Sequence, residues 1–158
     1  MQIGVTGHQN RPGIDWPWVK NVMRSEMIEI NNVSRALSSL AEGSDQLFAS
    51  VALSLSIPVL AVVPMAGYER FFNKEALANY AELLKQCEVV NLDWKGDDSR
   101  GFYEAGKFIA EESDVLLAIW DGKHSKGLGG TADVVEYAAS RAKSIVHINP
   151  VTLEISRK

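Results

Sequence analysis

One carboxylate, three basic or titratable side chains and several glycines crowd into a short stretch: Asp121, Gly122, Lys123, His124, Lys126, Gly129, Gly130 and Thr131. The stretch follows the apolar run Val115 to Trp120. It precedes Val134, Val135, Ala138, Ala139 and Ala142, whose spacing is helical. A helix starting at Thr131 leaves its first N–H groups unpaired and presents the positive end of its dipole. Glycines let such a backbone approach a ligand closely. The chemistry this arrangement suits is the binding of an anion, above all a phosphate. Lys123, His124 and Lys126 supply neutralising charge. Two carboxylates lie in reach, Asp121 and Glu136. Helical spacing places Glu136 opposite the apolar face, with Ser140 and Lys143, whereas Asp121 stands at a strand end, where functional residues gather.

Two further segments carry candidate chemistry. Gly7 and His8 follow the short apolar run Ile3 to Thr6, with Arg11 close behind. No G-x-G-x-x-G follows, so the dinucleotide fingerprint is absent. Gly7 either admits a phosphate or ribose or satisfies a tight turn, and His8 either adds charge or is an exposed loop residue. Glu42, Gly43, Ser44 and Asp45 form the second segment. Ser44 as a helix N-cap and Asp45 in the first turn are explained by capping. Glu42 is not, and a carboxylate at a strand end suits ribose hydroxyls. A third match, Gly101 to Lys107, resembles a Walker A loop but fails. Position 108 is Phe instead of Ser or Thr, no strand directly precedes it, and Phe102, Ala105, Phe108 and Ile109 form a helical apolar face.

The elements that must position these residues alternate. Strands are expected over Ile3–Thr6, Val33–Leu40, Ile57–Val63, Glu88–Leu92, Val115–Trp120 and Ser144–Ile148. Helices are expected from Asp15, which caps, and over Ser44–Leu55, Lys74–Lys85, Gly101–Glu112 and Thr131–Ala142. Strand–helix alternation implies right-handed crossovers and a mainly parallel sheet. The reading is an α/β fold: Rossmann-like, three-layer α/β/α, with about six strands, as one domain over 1–150 and a surface tail over 151–158. In such a sheet ligands bind beyond the carboxyl ends of the strands. The five loops at that edge all combine glycine with polar groups, while loops at the other edge are short and plain.

Composition bounds the rest. The 158 residues are 46% hydrophobic and 23% charged, ordinary values for one globular domain. A net charge of −4 argues against broad nucleic-acid binding, which usually shows a basic face. The single cysteine, Cys87, opens an apolar run and reads as an inert core thiol in a reducing compartment. No signal peptide or membrane-length apolar run is seen, so a cytoplasmic location and no membrane partner are expected. No zinc spacing, H-E-x-x-H, G-x-S-x-G or Cys/His nucleophile pair occurs, and no metal or cofactor is expected. Trp16, Trp18, Trp94 and Trp120 fall near loop junctions, where packing is the ordinary fate and stacking on a base the alternative.

Gly4 to His8, Ala41 to Asp45, and Ser113 to Gly122 together with Gly129 to Thr131 resemble the SLOG superfamily, which joins the DNA-processing protein A domain to the "lonely guy" phosphoribohydrolases. The resemblance covers about Ile3 to Ile148. It implies a Rossmann-like sheet that binds nucleotides or nucleotide-derived ligands, with small domains that often pair as homo-oligomers. The phosphoribohydrolases carry P-G-G-x-G-T-x-x-E. With their threonine on Thr131, their catalytic glutamate falls on Val134. Neither oxocarbenium stabilisation nor a covalent glycosyl intermediate then has an obvious residue. The expectation is a domain that binds or senses a nucleotide-like small molecule through Gly7, His8, Glu42, Gly43, Ser44, Asp121, Gly122, Gly129, Gly130 and Thr131. The alternatives are an N-glycosidase acting on nucleoside monophosphates, and an assembly module with an empty site.

Overall fold

A computed structural model describes residues 1–9, 11–124 and 128–158. Strands β1 (Gln2–Gly7), β2 (Arg35–Ser38), β3 (Val59–Val63), β4 (Glu88–Asn91), β5 (Val115–Ile119), β6 (Ser144–Asn149) and β7 (Glu154–Arg157) form one seven-stranded sheet in the order β4-β3-β2-β1-β5-β6-β7. All pairings are parallel except β6 with β7. The helices are α1 (Trp16–Glu29), α2 (Ser44–Ser54), α3 (Lys74–Leu84), α4 (Asp98–Glu112) and α5 (Thr131–Ser140). A short 3-10 turn, Tyr68–Phe71, precedes α3. The fold is the expected Rossmann-like α/β architecture with one strand more than foreseen.

The sheet divides the core by side-chain alternation. Leu117 and Ile119 of β5 join Ile3, Met23 and Phe48 under α1 and α2, whereas Leu116 and Ala118 join Ile109, Val134 and Ile145 under α4 and α5. Burial of each such side chain contributes roughly 1.5–3 kcal/mol, which is why the central strands read as unbroken apolar runs. β4 departs from that rule. It is an edge strand, and Val89 is 51% exposed. The residues after Pro150 are solvent-exposed, and Glu154–Arg157 among them form a strand of the sheet. Arg157 in β7 makes a bidentate ion pair with the buried Glu26 of α1, at 2.6 and 2.9 Å, and this holds the tail in antiparallel register on β6.

Element starts follow local chemistry. Asp15 caps α1 by accepting from the Trp18 amide at 3.0 Å. Asn73 and Asp97 do the same for α3 and α4. The α2 start differs from expectation. The cap is Gly43, not Ser44. Gly43 has φ +88°, and a Cβ there would lie 2.9 Å from the backbone of His8 and Gln9. Ser44 sits one position later and turns its hydroxyl to the His8 carbonyl at 2.7 Å. Both residues dock the α2 start against the end of β1.

Candidate functional site

β1 is followed by α1 on one face of the sheet, and β5, beside it, by α5 on the other. The two loops must diverge, and a crevice opens between them at the topological switch point. A cleft of about 750 Å³ occupies this place. Its floor is the paired strand ends, where Gly7 lies opposite Ile119 and the His8 amide donates to the Ile119 carbonyl at 2.9 Å. The start of α5 with Lys123 and His124 makes one side. The β2–α2 loop with Glu42 and the first turn of α2 with Asp45 make another. Tyr68, Phe71, Phe72 and Phe102 supply an aromatic wall.

Of the ten residues singled out in the sequence, Gly7, His8, Glu42, Asp121, Gly129, Gly130 and Thr131 line this cleft, while Gly43, Ser44 and Gly122 do not. Lys123 and His124 line it as well. Lys126 lies outside the described residues. Glu136 is exposed on the outer face of α5, as its spacing required. Val134, on which the resemblance set the phosphoribohydrolase glutamate, is buried and lines the cleft.

Gly7 is needed for packing inside the protein. A Cβ on it would stand 2.7 Å from the side chains of both Ser44 and Ile119. Gly129 has φ +93° and would press a Cβ to 2.7 Å of the Ser99 carbonyl, so it bends the loop tightly over the start of α4. Gly130 caps α5 with no side-chain hydrogen bond, which leaves the first helical amides without a side-chain acceptor at the cap. The Asp133 carboxylate, one turn on, accepts from the Gly129 amide at 3.1 Å and fixes the loop.

Asp121 is more heavily engaged than its position in the sequence indicated. Its Oδ1 accepts from the Lys123 amide at 2.9 Å, and its Oδ2 lies 3.2 Å from Arg11 Nε. Burial alone would raise this carboxyl. The Lys123 amide and the charges of His8 and Arg11 outweigh that and hold it below the ordinary carboxylate value. His8 moves down from 6.5, chiefly through burial, against the attraction of Asp121. The loop that carries Asp121 is braced from β6: His147 Nε2 hydrogen-bonds the Trp120 carbonyl at 2.8 Å, and Asn149 donates to the Asp121 carbonyl at 3.4 Å. Trp120 donates its indole N–H to the Lys123 carbonyl at 2.8 Å, so packing and loop closure account for most of it, although it also borders the cleft. Glu42 accepts from Asn73 at 3.2 and 3.4 Å.

Sequence reasoning missed two groups. Asp45, assigned to capping, lines the cleft, and burial raises its carboxyl from 3.8 to about 7 against a hydrogen bond from the Ala41 amide. The aromatic wall comes from the turn after β3 and from α4, elements far apart in sequence, and nothing local announced it. Cys87 is half-buried, bonded to the Leu83 carbonyl, and raised by burial to about 11, which fits an inert thiol. Among the described residues no cluster of potential metal ligands is present, and no helix is long and apolar enough to cross a membrane.

No protein-family model and no curated protein matches the chain. Solved structures do. DNA processing protein A from Streptococcus pneumoniae superposes with a TM-score of 0.67 at 17% identity, over 94% of this chain and 50% of that one. The Helicobacter pylori protein of the same name gives 0.67 at 15% identity, over 94% of this chain and 65% of that one. TM1055, a structural-genomics target, gives 0.57 at 14% identity, over 91% and 71%. This chain thus spans about half of the pneumococcal protein and less than two thirds of the Helicobacter one. The Helicobacter structure is described by its single-stranded DNA binding mode, so the charge-based expectation against nucleic acid finds no support among these neighbours. At these identities the likeness is one of fold: the chain has the Rossmann-like fold shared by DNA processing protein A and TM1055.

Proposed function

We propose that the cleft binds a nucleotide or nucleotide-derived small molecule. The observation that carries this reading is the convergence of two unlike ends on one crevice at the switch point. The start of α5, with Lys123 and His124, suits a phosphate. The Tyr68, Phe71, Phe72 and Phe102 wall suits a base. A cleft of about 750 Å³ is within the range of small-molecule sites. In this reading Glu42 and Asp121 face the ribose between the two ends, and the preference for binding over hydrolysis follows from Val134.

Gly130→Asp tests the placement. An aspartate caps a helix better than glycine, so the fold is expected to hold while its carboxylate occupies the anion position. Calorimetry with nucleoside monophosphates should show binding to the native protein and none to the variant. Undiminished affinity in Gly130→Asp sinks this placement. A single-stranded oligonucleotide belongs in the same titration, because a structural neighbour binds one; affinity for the oligonucleotide but for no monophosphate would replace the small-molecule reading. A hydrolytic role is read in the same samples as release of free base that is lost in Asp121→Asn. Native mass spectrometry reports retained ligand and the proposed homo-oligomer together.

A further inference from the structure

Three carboxylates line the cleft among the described residues: Glu42, Asp45 and Asp121. Two are already committed. Asp121 is shared by Arg11 and the Lys123 amide. Glu42 holds Asn73. Asp45 alone has no cation and no side-chain donor among the described residues. The residue is half-buried, lines the cleft and stands beside Tyr68. Tyr68 is the hub of the aromatic wall, with ring centroids 5.0 Å from Phe72, 6.3 Å from Phe102 and 6.4 Å from Phe71. Its own hydroxyl is spent on the Ser39 carbonyl at 3.0 Å. This carboxyl, with the Ala41 amide as its sole donor among the described residues, therefore borders the aromatic wall of the cleft.

A half-buried carboxylate without a cation is costly to desolvate further unless a ligand brings hydrogen-bond donors to it. An ionised carboxylate is an acceptor at both oxygens. The flat ring that best complements it offers two parallel N–H donors on one edge. Guanine does so through N1–H and its 2-amino group. Adenine and cytosine offer a donor beside an acceptor, and uracil offers one N–H between two carbonyls.

We propose that Asp45 is the specificity-determining residue of the cleft, and that it selects a guanine-type base, one with adjacent ring N–H and amino donors stacked against the aromatic wall. The proposal rests on the nucleotide reading of the site. Because burial raises this carboxyl to about 7, binding of such a base favours its ionised form and releases a proton at lower pH. The other titratable groups around it are Tyr68 and Tyr80 on the adjoining turn and helix, and Glu42 and His8 at neighbouring strand ends. Asp121, Lys123 and His124 line the same cleft. None of them pairs with the Asp45 carboxylate in the structure.

The experiment is calorimetric titration of the full chain with GMP, AMP, CMP, UMP and XMP at pH 6 and pH 8. At pH 8 the native protein is expected to bind GMP at least tenfold more tightly than AMP, CMP or UMP. The GMP-to-AMP affinity ratio, in which the shared phosphate cancels, should rise about tenfold from pH 6 to pH 8 as the ionised fraction of Asp45 rises. Asp45→Asn replaces one acceptor by a donor, so it should lose the GMP preference, gain XMP and lose the pH dependence of the ratio. Equal affinities for GMP and AMP, or a GMP preference that survives in Asp45→Asn, overturn the proposal while the nucleotide reading stands. Failure of every monophosphate to bind the native protein overturns both. The pH dependence of the native ratio needs no variant and decides the matter if Asp45→Asn does not fold.

Discussion

The Nε2 atom of His8 lies 3.0 Å from the backbone nitrogen of Asp121 and 3.4 Å from the Oδ1 of the same residue. The backbone N–H is a donor only, so Nε2 accepts from it and the ring proton of neutral His8 resides on Nδ1. One nitrogen thus ties the end of β1 to the end of β5 across the mouth of the crevice. Protonation of Nε2 would break this bond and turn the new N–H toward the carboxylate.

The pH dependence of stability follows from that geometry. The folded value of His8 is depressed below its unfolded value of 6.5, chiefly by burial. The unfolded chain therefore binds the proton more readily, and stability from this residue is complete above pH 6.5. It is lost as pH falls from there through the folded value. Denaturant unfolding at pH 7.5 and 5.5 should show the loss, and His8→Asn should flatten it. Long-range proton–nitrogen NMR at pH 7.5 should find Nδ1 protonated and Nε2 bare; a protonated Nε2 contradicts the assignment.

Asp45 has the opposite sign. Its folded value, about 7, lies above its unfolded value of 3.8, so its contribution to stability is complete below pH 3.8 and is lost as pH rises through about 7. Asp45→Asn should match the native protein near pH 4 and exceed it by about 2 kcal/mol at pH 8, allowing for screening by water in the cleft. Equal stability of the two proteins at both pH values would show that the carboxyl is freely solvated.

The close approach of α2 to β1 makes Gly7 and Gly43 intolerant. Gly43→Ala combines a left-handed φ with overlap on the His8 and Gln9 backbone, and a loss of about 3 kcal/mol is expected. Gly7→Ala, at an ordinary φ, meets the Cβ atoms of Ser44 and Ile119, which move only with their backbone, and should lose about 1–3 kcal/mol. Chemical denaturation orders the two, and a tolerated Gly43→Ala would mean that the α2 start can move off β1.

At the far edge, Arg157→Ala leaves the buried Glu26 without its partner. Arg157 is itself 59% exposed, so the expected destabilisation is about 1–3 kcal/mol, below that of a fully buried pair. β7 should then exchange its amide hydrogens faster than β6. Glu26→Gln with Arg157→Ala together should lose less than the two single changes summed.

Local chemistry carried the alternation of strands and helices, the parallel sheet and its ligand edge, because apolar period, caps and glycines act over a few residues. Asp15, Asn73 and Asp97 cap where a short polar residue precedes a helical run. β7 escaped notice because its four residues are all exposed, and its ion-pair anchor Arg157 reaches Glu26, 131 positions earlier. The sequence by itself determined which residues gather at the carboxyl edge: Gly7, His8, Glu42, Asp121 and the Gly129–Thr131 helix start. Only the tertiary structure decided which of them are already engaged. Arg11 and His8 hold Asp121, Asn73 holds Glu42, and Ser44 fills the space beside Gly7. It alone brought Asp45 and the wall of Tyr68, Phe71, Phe72 and Phe102 to one crevice. The physical reason is that capping and periodicity are properties of neighbours in the chain, whereas the pairing of charges and the enclosure of a carboxyl arise between segments that meet only when the sheet is assembled.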